Sequence, residues 1–256
     1  TWASSNRSAA RKMAERVLTI LTYHAVDDRG DVISVTPETF RHHVRTLEAH
    51  GIHGVSLADA MQRFERDGSY ADDEIVLTFD DAYLSVYENA LPILRQAGFA
   101  ATVFVPTAFV GESSETAARI NQHLDRDMMD WEHVENLAEG GIEIGAHTRT
   151  HPDLTGLDDQ ALDDELAACR LELEKHVHRP ILSFAYPYGY HDSRVRQAAG
   201  RHFRYACTTQ LGHNLPGDDP LLLRRIDTYY LDKDETLVRA ARGELGLYWS
   251  FRQALR

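Results

Sequence analysis

The chain has 256 residues, a length that suits one large α/β domain or two small ones. Its 43% apolar share allows a sizeable core, and a formal net charge of −13 argues against a nucleic-acid partner, because phosphate binding needs a basic patch. The two cysteines, Cys169 and Cys207, make no disulfide framework in a chain this size and read as buried thiols.

Residues 1–16 are polar and helix-prone, without the apolar run of a signal peptide. They read as an N-terminal extension ahead of one domain over residues 17–256. No window approaches the roughly 18 apolar residues of a membrane span. The first strand is expected over Val17 to Thr22, ending at Tyr23-His24. Thr36-Pro37-Glu38 then opens a helix, a capping threonine before a proline at the first helical position, which runs to His50 and stops at Gly51. A second short unit begins at Val55, with a helix over Leu57 to Phe64.

Ile75 to Phe79 is too apolar for a one-sided sheet and reads as a strand buried on both faces. A helix over Tyr83 to Ala97 closes at Gly98, and Ala101 to Val105 is another buried strand, halted by Pro106. Gly111 to Asp127 has the composition of a long loop with one helical turn. Helices are expected over Trp131 to Ala138, Asp158 to His176, Ser193 to Ala199 and Lys233 to Arg242. Strands are expected over Ile142 to Gly145, Ile181 to Ala185, Tyr205 to Thr208 and Leu221 to Asp227. Such alternation implies a parallel sheet, either a closed barrel or an open doubly wound sheet, with reactive groups where strands end and helices begin.

Four unusual constellations fall at those strand ends. Asp80 and Asp81 are adjacent carboxylates that repel one another and lose hydration unless a cation or donors compensate, although either can also serve as a helix cap. His147 and His151 stand at i and i+4, on one face of a helical turn, so both imidazoles can point at one ion. Two histidines and one carboxylate form a common open metal site with room for water and substrate. Pro187 fixes a turn after the strand ending at Ala185 and leaves the Tyr188 amide facing a pocket, where it can stabilise an oxyanion. His24 closes the first strand. Each has a plain structural reading by itself; four on one rim form the functional argument. Trp131, Tyr186, Tyr188 and Tyr190 are candidates for stacking on sugar rings, and each serves equally as packing.

In order, Thr78-Phe79-Asp80-Asp81, His147-Thr148-x-x-His151-Pro-x-Leu154 and Tyr186-Pro187-Tyr188-Gly189 resemble the polysaccharide deacetylase family, carbohydrate esterase family 4. Tyr23-His24 and Phe184-Ala185-Tyr186-Pro187-Tyr188-Gly189 are most similar to its poly-N-acetylglucosamine deacetylase branch. The resemblance implies a distorted (β/α) barrel of about seven parallel strands. It implies a divalent metal, zinc first, with cobalt, nickel or iron able to serve, held by Asp81, His147 and His151. It also implies Asp80 as general base, the Tyr188 backbone in the oxyanion site, and an N-acetylated oligo- or polysaccharide as substrate.

The chain departs from the family pattern twice. The third-motif arginine is replaced by Ala185-Tyr186, so Arg225, with Arg224 as the alternative, is expected to supply that charge. A late Leu-x-His reads Leu-Leu-Arg-Arg-Ile here, which leaves His24 as the expected general acid. The family suggests a cell-envelope or secreted location. O-deacetylation of a polysaccharide, or sugar binding without turnover, stand as alternatives to N-deacetylation.

Overall fold

The computed structural model describes residues 16–255 except 123 and 232; the N-terminal extension lies outside the described residues but for Arg16. Among the described residues ten strands follow in chain order: β1 Ile20–Tyr23, β2 Ala25–Val26, β3 Ser34–Val35, β4 His53–Val55, β5 Glu74–Phe79, β6 Thr102–Val105, β7 Glu143–Ala146, β8 Ser183–Ala185, β9 Tyr205–Leu211 and β10 Leu223–Asp227. Seven of them close a ring in the order β1-β10-β9-β8-β7-β6-β5, with β5 pairing back onto β1. Every pairing in the ring is parallel. The expected seven-stranded distorted (β/α) barrel is the fold. The eighth strand, β4, pairs with the first half of β5, while β6 takes the second half.

Side-chain alternation along the strands separates two cores. Leu21, Tyr23, Leu77, Phe79, Val103 and Val105 point outward and pack under the surrounding helices. Ile20, Val76, Phe104, Ala185, Cys207 and Leu223 fill the inside of the barrel, closed below by Leu57 and Met61. The lower interior also holds Glu143, whose carboxylate accepts from Thr102 Oγ1 at 2.7 Å, Ser183 Oγ at 2.6 Å and the Ala58 amide at 3.0 Å. Burial pushes this carboxyl above its ordinary value, opposed by those donors. Gly145 is required by a close approach: a Cβ there would lie 2.5 Å from the Phe104 ring.

Local chemistry explains most element boundaries. Thr36 caps the helix Pro37–Ala49 by accepting from the Thr39 amide, and Asp158 caps Asp159–Val177 in the same way. The helix expected over Tyr83 to Ala97 is instead a wide turn over Val86–Ala90 followed by an α-helix over Leu91–Ala97. Pro92 has no amide to donate and its ring crowds the carbonyl four residues back, and the wide turn carries the chain past it. Both cysteines are buried and unpaired in a disulfide. The parallel pair β2–β3 and the closing helix Gly246–Ala254 carry too few patterned residues to be read from sequence. No helix among the described residues is long and apolar enough to cross a membrane.

Candidate active site

The upper ends of the strands open into a cleft of about 1130 Å³ whose walls include His24, Asp80, Asp81, His147, His151 and Tyr188. Asp80 and Asp81 follow β5, His147 follows β7, Tyr188 follows β8 and His24 follows β1. Parallel strands deliver all of these groups to one rim.

His147 and His151 converge, but not on a helical turn. Thr148 and His151 both take left-handed backbone conformations, with φ of 64° and 55°. The His151 amide donates to Thr148 Oγ1 at 2.9 Å, and the amides of Arg149 and Thr150 both donate to Glu165 Oε2 at 2.8 Å. A helix over these residues would turn those amides along its own axis, and Pro152 disfavours helical geometry at His151. The turn brings the two Nε2 atoms to 3.2 Å of one another. His147 Nδ1 lies 2.7 Å from the Ala185 carbonyl, which fixes Nδ1 as the protonated nitrogen and leaves the Nε2 lone pair facing His151.

Asp81 Oδ1 lies 3.5 Å from each of those Nε2 atoms, and although buried it has no hydrogen-bond partner. Two imidazole nitrogens and an orphaned carboxylate oxygen facing one point repel unless a positive charge lies between them, so this donor set fits a divalent cation. Burial opposes ionisation of Asp81, yet the two imidazoles hold it well below the usual carboxylate range. Burial and then the neighbouring His147 push His151 down to about 4, keeping that ring neutral. Burial would also lower His147, but Asp81 and Asp80 outweigh it and raise that group.

Asp80 stands beside this cluster, 4% exposed. Arg225 Nη1 donates to Asp80 Oδ1 at 2.7 Å and Nη2 to Oδ2 at 2.8 Å, a bidentate pair inside the barrel mouth. Burial raises Asp80, and the Arg225 charge and hydrogen bonds more than reverse it, so the carboxyl lies below its ordinary value. Of the two candidate arginines, Arg225 reaches Asp80; Arg224 turns outward to Asp218. His24 Nε2 lies 3.9 Å from Asp80 Oδ2.

Among the described residues, six non-glycine positions have positive φ, and Asp81, Ala82, Thr148, His151 and Tyr188 are five of them. Strain of this kind persists where surrounding contacts over-determine the backbone, and here it lies in the three loops that aim the polar groups.

The four proposed stacking aromatics separate. Tyr188 and Tyr190 line the cleft with their rings 5.7 Å apart. Tyr186 borders it but is buried, with its hydroxyl donating to the Leu221 carbonyl. Trp131 does not line the cleft; it stacks on His176 at 3.8 Å on the outer helices. Two contributors carry no sequence signal. Arg126, 3% exposed, donates to Asp27 Oδ2 at 3.0 Å, Asp31 Oδ2 at 2.6 Å and Ser34 Oγ at 2.8 Å, pinning the β2–β3 connection against the cleft wall. Asn121, from the long loop, contacts His151 and Tyr188.

Comparison with known proteins gives the family of the chain. Residues 67–204 match the polysaccharide deacetylase family model. The chain is 26% identical over 196 residues to Bacillus subtilis YxkH, covering 76% of this chain and 65% of that protein. It is 24% identical over 216 residues to the Staphylococcus epidermidis poly-β-1,6-N-acetyl-D-glucosamine N-deacetylase, covering 80% and 71% respectively. Both relatives extend beyond the shared stretch. Among solved structures, the Streptococcus pyogenes deacetylase PplD in complex with acetate superposes with a TM-score of 0.77 at 23% identity, over 88% of this chain and 98% of that one. IcaB from Ammonifex degensii gives 0.72 at 23% identity, over 90% and 97%. These two establish the fold. The chain belongs to the polysaccharide deacetylase family.

Proposed function

We propose that the protein removes N-acetyl groups from an N-acetylglucosamine-type oligo- or polysaccharide, with a divalent cation held by Asp81, His147 and His151. The observation that carries this reading is the orphaned Asp81 oxygen facing two imidazole nitrogens beside an ionised Asp80. The name of the staphylococcal relative supports the amide substrate. Zinc suits a donor set of two nitrogens and one oxygen, and cobalt, nickel or iron can occupy the same set. When bound, such a cation supplies Lewis acidity, polarising the acetyl carbonyl and making water nucleophilic near neutral pH.

The protein's own groups divide the remaining work. Asp80 accepts the proton released by the attacking water, and Arg225 keeps that carboxylate ionised and fixed in orientation. The Tyr188 backbone N–H donates to the oxyanion that develops on the acetyl group. His24, within 3.9 Å of Asp80, protonates the departing amine. Tyr188 and Tyr190 offer faces on which sugar rings stack.

The test is acetate release from metal-replete protein given N-acetylglucosamine oligomers and, separately, an O-acetylated polysaccharide. Expected are turnover of the amide substrate, its loss on chelation, and a drop of several orders of magnitude in Asp80→Asn with metal content preserved. Release from the ester alone, or sugar binding without any acetate release, overturns the reading.

A further inference from the structure

The long loop between β6 and β7 forms part of the cleft wall, and one of its side chains touches both His151 and Tyr188. Asn121 Nδ2 lies 2.9 Å from the Tyr188 hydroxyl, 3.2 Å from the His151 carbonyl and 3.3 Å from His151 Nδ1. Its amide therefore bridges the imidazole that closes the metal cluster and the neighbouring tyrosine of the cleft. The His151 and Tyr188 rings themselves meet edge to face, with centroids 4.7 Å apart.

We propose that Asn121 is a positioning residue whose side-chain amide selects the His151 tautomer that can bind a cation, and holds the Tyr188 phenol in the same act. The inference rests on the metal reading above. His151 faces His147 and Asp81 through Nε2. A neutral imidazole that gives its Nε2 lone pair to a cation must carry its proton on Nδ1, and that N–H needs an acceptor. His147 uses the Ala185 carbonyl for this purpose. For His151 the group at Nδ1 is the Asn121 amide. A half-turn of that amide exchanges its nitrogen for its oxygen: the donation to the His151 carbonyl is given up, and the oxygen accepts instead from both His151 Nδ1–H and the Tyr188 hydroxyl, a trade that a cation on Nε2 favours by requiring the proton on Nδ1.

One side chain thus couples the loop over 111–127, a cation ligand and a wall of the cleft. If Asn121 were only a loop staple, its amide would act as a donor to the His151 carbonyl, and an acceptor-only replacement would break that contact.

Asn121→Asp separates the two cases, because an ionised carboxylate accepts but cannot donate. Zinc affinity is measured by competition with a chromophoric chelator for the wild type, Asn121→Asp and Asn121→Leu, with thermal unfolding of the metal-free proteins in parallel. Expected are a zinc affinity for Asn121→Asp within a few-fold of wild type or tighter, and one about 10–100-fold weaker for Asn121→Leu. Wild-type affinity in Asn121→Leu, or Asn121→Asp as weak as Asn121→Leu, overturns the proposal. Should Asn121→Leu fail to fold, a tenfold loss in Asn121→Asp alone does so. A wild-type protein that takes up no zinc removes the metal reading itself, and this inference with it.

Discussion

Arg225 and Asp80 meet end to end inside the barrel mouth, two parallel hydrogen bonds of 2.7 and 2.8 Å between side chains that are 1% and 5% exposed. The guanidinium is held from behind, since Nε donates to the Thr208 carbonyl at 2.9 Å and Nη1 also reaches Thr78 Oγ1 at 3.2 Å. A buried ion pair repays its desolvation only when the remaining donors are satisfied in this way. The pair therefore fixes the direction of a carboxylate that would otherwise rotate or take up a proton in an apolar mouth.

Arg225→Met leaves that carboxylate buried without its counter-charge. The expected loss is about 3–5 kcal/mol of folding stability, read from urea unfolding, and the double variant with Asp80→Asn recovers a large part of it. Arg225 also depresses the Asp80 pKa, so its removal raises that pKa and moves the acid limb of the pH–rate profile to higher pH. A single variant as stable as wild type, with an unmoved acid limb, would show that the pair has no such role.

Ala82 has φ of 54° directly after Asp81 at 73°, two successive left-handed residues with side chains. An L-residue there costs roughly 1–2 kcal/mol relative to right-handed geometry, and a β-branched one more. Ala82→Gly removes that strain but loosens the unfolded chain, for a net change between zero and about 1 kcal/mol in favour of folding. Ala82→Val is expected to lose at least about 2 kcal/mol, because the position is 1% exposed as well as left-handed. Urea midpoints check the assignment, with Ala82→Gly at or above wild type and Ala82→Val below it. Equal midpoints refute it.

Much of the architecture is legible because its signals are local. Ile75 to Phe79 and Ala101 to Val105 are apolar without alternation, and only strands covered on both faces read that way. The polar residues that follow such strands mark the rim, which is why Asp80, Asp81, His147 and His151 could be picked out, and all four line one cleft. What escaped depends on distance. Asn121 and Glu165 lie 30 and 15 residues from their partners in the His147–His151 turn, and a single sequence carries no trace of such pairings. The i, i+4 spacing of the histidines suggested a helix, whereas the chain converges them through left-handed Thr148 and His151. Spacing limited the separation of the two rings without determining the path between them.

Gly145 and Phe104 make a compensating pair. The ring occupies the space a side chain on β7 would fill, and Arg225 lies 5.8 Å from that ring's centroid. Gly145→Ala should cost about 1–3 kcal/mol through overpacking and displace the ring toward Arg225. Adding Phe104→Leu, which vacates the contact, should return part of that loss. If the double variant is less stable than the sum of the single ones, the two positions do not share this space.

Acid sensitivity should come in part from two buried histidines that do not line the cleft. His213 is 8% exposed; its Nδ1 meets Thr19 Oγ1 at 3.0 Å and its Nε2 is buried without a partner, so burial pushes its pKa down to about 4. His43, 5% exposed and bonded to the Tyr23 hydroxyl at 3.0 Å, is pushed down to about 4 in the same way, with His42 adding to the effect. In the unfolded chain both rings return to about 6.5. Above that pH neither state binds the proton and stability is intact; as pH falls from about 6.5 toward 4 the unfolded state is protonated first, and stability drains away. Each unit of depression corresponds to about 1.4 kcal/mol, so the two rings together remove several kcal/mol by pH 4. His213→Leu replaces a ring with an orphaned nitrogen by an apolar side chain, while Thr19 Oγ1 keeps its bond to the Ala240 carbonyl at 3.1 Å. Urea midpoints measured from pH 7.5 to 5 should therefore fall less steeply in that variant than in wild type, and parallel slopes would place the acid lability elsewhere.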